Sequence, residues 1–109
     1  MKRNIDILGE QYTIITDNKL INKDGYCDKT VQKIEVCKSL YKKSKPGQIE
    51  NVKWQADRVM RHECIHALFF ESGNEYNIGR LHTEEVVDWI SFMYPKMKKI
   101  FQELMIEGD

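Results

Sequence analysis

His62-Glu63-Cys64-Ile65-His66 spells H-E-x-x-H, the stretch of this chain with the most specific chemistry. On a helix, residues four apart share a face, so both imidazoles can reach one ion. Zinc suits that pair: it lowers the pKa of bound water to about 7 and polarises a carbonyl. Glu63 sits between the histidines and can take and return the proton. The peptide bond is the usual target of such a site. The plainer reading is two surface histidines on an amphipathic helix. Context weakens it, because two of the three histidines lie in the motif and Ala67-Leu68-Phe69-Phe70 follows at once and would bury them. A buried histidine pair at this spacing is costly without a metal.

Catalytic zinc usually takes three protein ligands and leaves a position for water. The downstream candidates are Glu71, Glu75, His82, Glu84, Glu85 and Asp88. A helix turns Glu71 away from the metal face, and Glu75 falls in a loop and stays open. Glu84 and Asp88 are four apart and share a face. One can bind zinc while the other accepts a hydrogen bond from a ligand imidazole. Glu84 is favoured as the ligand, although Glu84 and Glu85 would also serve simply to cap a helix. His82 is the rival third ligand, or a group that stabilises the oxyanion of the tetrahedral intermediate. Tyr76, Arg80 and Tyr94 are further candidates to polarise a carbonyl, with no geometric reason to choose among them. Cys64 lies two residues from each histidine, so it points to the other side of the helix and reads as a buried structural thiol.

Two kinds of element must position these groups. Ile5, Ile7 and Leu8, then Gly9-Glu10, then Tyr12, Ile14 and Ile15 predict a hairpin. Asp17 to Asp24 is polar and reads as a loop. Gly25 to Asp28 predicts a short strand. Another is predicted around Val31 to Val36, with Ile34 and Val36 on one face and Lys33 and Glu35 on the other. Ser44 to Gln48, with Pro46 and Gly47, breaks the pattern. From about Glu50 to Phe70, Val52, Val59, Ile65, Leu68 and Phe69 recur at helical spacing, and Gly73 closes that helix. Thr83, Glu84 and Glu85 open a second helix whose apolar side is Val86, Val87, Trp89, Ile90 and Met93. Pro95 is expected to kink or end it. A further helix follows to Glu107, with Met97, Ile100, Phe101 and Leu104 facing the core. Trp54 and Trp89 read as core.

The 109 residues, 1–109, suit one domain with one modest core. Lys plus Arg and Asp plus Glu both number 17, so the net charge is zero, which argues against nucleic acid as the main partner. Lys96, Lys98 and Lys99 cluster, but as a solvated helix face. No run approaches the roughly 18 apolar residues of a membrane span. Met1-Lys2-Arg3-Asn4 is not followed by the apolar stretch of a signal peptide. Cys27, Cys37 and Cys64 lack C-x-x-C spacing and read as reduced thiols, so a cytoplasmic protein is expected.

H-E-x-x-H followed by E-x-x-x-D on a second helix resembles the gluzincin pattern. That resemblance implies Glu84 as third ligand and Asp88 as support for the first histidine, His62. The short gap from His66 to Glu84 resembles the compact minigluzincin-like proteins. Gly25-Tyr26-Cys27-Asp28, the strand with Ile34 and Val36, and Arg61 to Ala67 also resemble the ImmA/IrrE-type metallopeptidases of phages and mobile elements. The resemblance covers residues 25 to about 90. It implies a zincin-like fold, a zinc cofactor, and a protein or peptide substrate such as a phage or mobile-element regulatory protein. It further implies that the strand before the motif helix, Gln32 to Cys37, lines the cleft and pairs with substrate as an extra strand. The residues alone fit an ordinary half-buried strand equally well.

The expectation is therefore an α+β domain. A sheet of three or four strands packs on the long motif helix, and C-terminal helices close the other side. Zinc is held by His62, His66 and Glu84, with Glu63 as general base. The alternative is a non-catalytic zinc protein that masks a partner protein.

Overall fold

A computed structural model describes residues 1–42, 51–106 and 108. The expected break at Ser44 to Gln48, the helix start at Glu50 and the helix end at Glu107 lie outside the described residues. The architecture is α+β, a four-stranded mixed sheet with two long helices.

β1 (Lys2–Ile7) and β2 (Glu10–Ile15) form an antiparallel hairpin with Ile7 opposite Glu10. Its turn is Leu8-Gly9, one residue earlier than expected. Both residues have positive φ, 52° and 93°, as a type I′ turn needs to match strand twist. β3 (Gly25–Asp28) and β4 (Lys33–Val36) follow, and the strand order is β1-β2-β4-β3.

That order corrects one expectation. β4 runs parallel to β2 on one side and antiparallel to β3 on the other. Both its edges are taken, so Gln32 to Cys37 has none left to receive a substrate strand. The physical reason is burial: Ile34, Glu35 and Val36 are all buried, which an interior strand provides. Glu35 points away from Ile34 and is satisfied there by Asn18 Nδ2 at 2.8 Å and by the Tyr26 hydroxyl. The edge strand on this side is β3.

The core joins Ile7, Tyr12, Ile14 and Ile34 of the sheet to Ala67 of the first helix, with Cys27, Met60 and Cys64 packed against it. The Tyr12 hydroxyl donates to Glu71 Oε2 at 2.6 Å, tying β2 to the end of that helix. Cys64 is thus a core thiol, and burial raises its pKa.

The motif helix, α1, spans Val52–Glu71. Asn51 caps it by accepting from Trp54 N at 3.0 Å, and Gly73 follows its end with φ 90°. Its buried residues are Ala56, Glu63, His66 and Ala67, whereas Leu68 and Trp54 are exposed. Of the five periodic residues only Leu68 is exposed; Val59, half-buried, meets the sheet at Gly25, and Ala67 joins the core.

The second helix, α2, spans Glu84–Leu104 without interruption, where two helices were expected. Thr83 caps it by accepting from Val86 N at 3.3 Å. Pro95 cannot donate to the Ser91 carbonyl four residues back. Arg61 Nε of α1 donates to that carbonyl instead, at 2.9 Å. An interhelix hydrogen bond thus takes the place of the missing one, and the helix passes through its proline. Val87 and Ser91 are buried against α1. Trp89, Ile100, Phe101 and Leu104 are exposed rather than core. At 1.5 Å per residue α2 is about 30 Å long, and its second half outruns the surface it could pack on.

Candidate metal centre

Three parts of the chain meet at the C-terminal half of α1: the β3 edge, α1 itself and the start of α2. His62 and His66 lie one turn apart on α1, and their Nε2 atoms are 3.2 Å apart. Glu84, the first residue of α2, spans both: Oε1 is 2.6 Å from His66 Nε2 and Oε2 is 3.2 Å from His62 Nε2. One turn later, Asp88 Oδ1 lies 2.7 Å from His62 Nδ1.

These distances can be tested against a bound ion. With zinc–ligand bonds of about 2.0–2.1 Å, two ligands of a tetrahedral site lie about 3.3 Å apart. Two of the three separations here are 3.2 Å and the third is 2.6 Å. Asp88 can only accept, so His62 Nδ1 donates to it and Nε2 is the ring atom turned toward Glu84 and His66. The donor set therefore fits a metal ion: His62, Glu63 and His66 group within 4.8 Å, as do His62, Glu84 and Asp88.

Glu63 is buried in the same cleft, with 7% of its surface exposed. Burial is the largest influence on its carboxyl and raises the pKa to about 7, with the Glu84 and Asp88 charges adding to the rise. Burial lowers the pKa of His66, against the pull of Glu84. The cleft, about 300 Å³, runs from the β3 edge at Gly25 and Tyr26 past both histidines to Phe70 and Tyr76. Burial and the nearby Glu84 charge raise the Tyr76 hydroxyl pKa.

The other expected residues fall as follows. His82 is 1% exposed and stands behind His66, its Nε2 2.7 Å from His66 Nδ1 and its Nδ1 2.7 Å from the Asn74 carbonyl. It does not join the point where the two Nε2 atoms meet. Glu71 is held by Tyr12, and Glu75 and Glu85 are exposed. Of the three candidates to polarise a carbonyl, Tyr76 lines the cleft. Arg80 is exposed, and Tyr94 lines a different cavity with Met97 and Phe101.

Sequence reasoning missed Gly25. A Cβ there would lie 2.8 Å from the Glu35 carbonyl oxygen and 3.4 Å from Glu63 Cγ, so glycine lets the edge strand pass close to Glu63. A lone glycine opening a strand was the signal. The Asn74 carbonyl left no trace in residue types. Set against protein-family profiles, curated proteins and solved structures, the chain matches none of them.

Proposed function

We propose that this protein is a zinc-dependent peptide hydrolase with a zincin-like active site. The observation that carries the reading is the meeting of His62 Nε2, His66 Nε2 and the Glu84 carboxylate beside a buried Glu63. His62, His66 and Glu84 would hold the ion, and Asp88 would orient His62. Zinc there supplies Lewis acidity, acidifying water and polarising a carbonyl. Glu63 holds the proton taken from the attacking water and returns it to the leaving amine. The Tyr76 hydroxyl, on the wall of the cleft, would donate to the carbonyl oxygen as charge develops there.

Among the described residues β3 is paired on one side only, and its other edge would receive an extended peptide as an added strand, with backbone groups of Gly25–Asp28 holding it across the metal. Substrate pairing is thus assigned to β3, because β4 is interior. A protein or peptide substrate follows. The resemblance to phage and mobile-element metallopeptidases points to a regulatory protein as substrate, and the unpaired spacing of the three cysteines points to a cytoplasmic setting. Among the described residues, no helix is long and apolar enough to cross a membrane.

The test is Glu63→Gln in the zinc-loaded protein, assayed on a mixture of unstructured peptides. The expected result is retained zinc with hydrolysis reduced about 10²–10⁴-fold, the scale of general acid–base catalysis. Full hydrolysis by the variant would remove Glu63 from the chemistry. If the zinc-loaded wild type cleaves nothing, the partner-masking zinc protein becomes the better reading.

A further inference from the structure

We infer that His82 is a positioning residue for the metal centre, acting through His66 by holding that ring in the tautomer and orientation that present Nε2 to the ion. This rests on the metal-site reading above. The Asn74 carbonyl can only accept, and it lies 2.7 Å from His82 Nδ1, so that nitrogen carries the His82 proton. A neutral imidazole that donates at Nδ1 accepts at Nε2, and this atom lies 2.7 Å from His66 Nδ1. His66 must donate across that contact. Its own Nε2 is left with a lone pair, and this atom faces His62 Nε2 and Glu84. Hydrogen bonds directed in one sense, from His66 to His82 to Asn74, therefore set which His66 nitrogen meets the metal.

The far end of this chain is anchored by the helix that carries His66. α1 ends with Ser72 N donating to the Leu68 carbonyl at 3.0 Å and Asn74 N to the Phe69 carbonyl at 2.8 Å, with Gly73 at φ 90° between them. Those bonds fix the Asn74 carbonyl. Asn77 N donates to the His82 carbonyl at 2.9 Å and closes the loop. The His82 ring is stacked on Phe69 and met edge-on by Phe70 and Tyr76, so it has little freedom to turn. Thr83 then caps α2, whose first residue is Glu84. One short segment thus delivers the support of one ligand and, two residues later, another ligand. A residue that only filled space would not need both ring nitrogens in directed contacts, and phenylalanine would replace it without loss at the metal.

The test is zinc affinity by chelator competition in wild type, His82→Phe and His82→Gln, with nitrogen NMR of the zinc-loaded wild type. His82→Phe should bind zinc about 10–100-fold more weakly, the usual effect of losing a ligand's hydrogen-bond partner. His82→Gln, whose amide oxygen can accept from His66, should recover most of that loss. In the wild type, His82 should carry its proton on Nδ1 alone. A proton on His82 Nε2 overturns the inference without any variant, so it stays decidable if His82→Phe does not fold. Unchanged affinity in a folded His82→Phe overturns it while leaving the metal site standing. Failure of the wild type to bind zinc overturns the metal site and this role together.

Discussion

At the scale of single residues, the site depends on which proton sits where. The two motif histidines and Glu63 were legible because a helix forces residues four apart onto one face, whatever surrounds it. Glu84 and Asp88 were legible for the same reason, and the structure brings both to His62. His82 was not readable beyond its residue type. Its partners are an imidazole nitrogen and a main-chain carbonyl, and no spacing rule reports either. Glu63 gives a prediction for the protein stripped of metal by a chelator. Its folded-state pKa of about 7 stands above its ordinary value of 4.5, so the folded state holds the proton more tightly. The stability this confers is full below about pH 4.5 and is lost as pH rises through about 7, a decline of up to about 3 kcal/mol. His66, with its pKa lowered, has the opposite sign: its contribution is present above the ordinary histidine value and lost as pH falls. Glu63→Gln isolates the first effect. Urea midpoints at pH 5 and pH 8 should fall less between the two in the variant than in wild type, and equal declines would contradict the assignment.

At the scale of elements, the hairpin, β3, β4 and both long helices were foreseeable from alternation, caps and helical spacing. Three features were not. The sheet order was hidden because pairing is non-local: nothing in Gln32 to Cys37 says that β2 closes its second edge. The packed face of α1 was only partly readable: Leu68, one of the periodic residues, is exposed, while Ala67 joins the core. The continuity of α2 was misread because the hydrogen bond that compensates Pro95 comes from another helix. That bond ties α1 to α2, the two helices whose residues His62 and Glu84 meet. Arg61→Leu leaves the Ser91 carbonyl buried without this partner and should cost about 1–3 kcal/mol in urea unfolding, with weaker zinc binding. Adding Pro95→Ala restores an N–H that can reach Ser91, and the double variant should recover part of the loss. Equal stability of Arg61→Leu and wild type would show that the interhelix bond is idle.

At the scale of the whole molecule, the candidate centre sits where the sheet edge, α1 and α2 join. Its ligands come from two helices separated by a loop, so the site exists only in the folded chain. Zinc should therefore favour the folded state, by about 2.7 kcal/mol when free zinc is one hundred times its dissociation constant. Among the described residues β3 is the outer strand beside Gly25, where the proposed function places an extended chain. The central claim is that His62, His66 and Glu84 bind one zinc ion. Elemental analysis after zinc loading and removal of excess metal tests it most directly, with the wild type set beside a His62→Ala, His66→Ala double variant. The account predicts about one zinc per wild-type chain and none in a folded double variant, as expected when two ligands of a four-coordinate site are lost. A wild type that retains no zinc, or a double variant that retains as much, would contradict it.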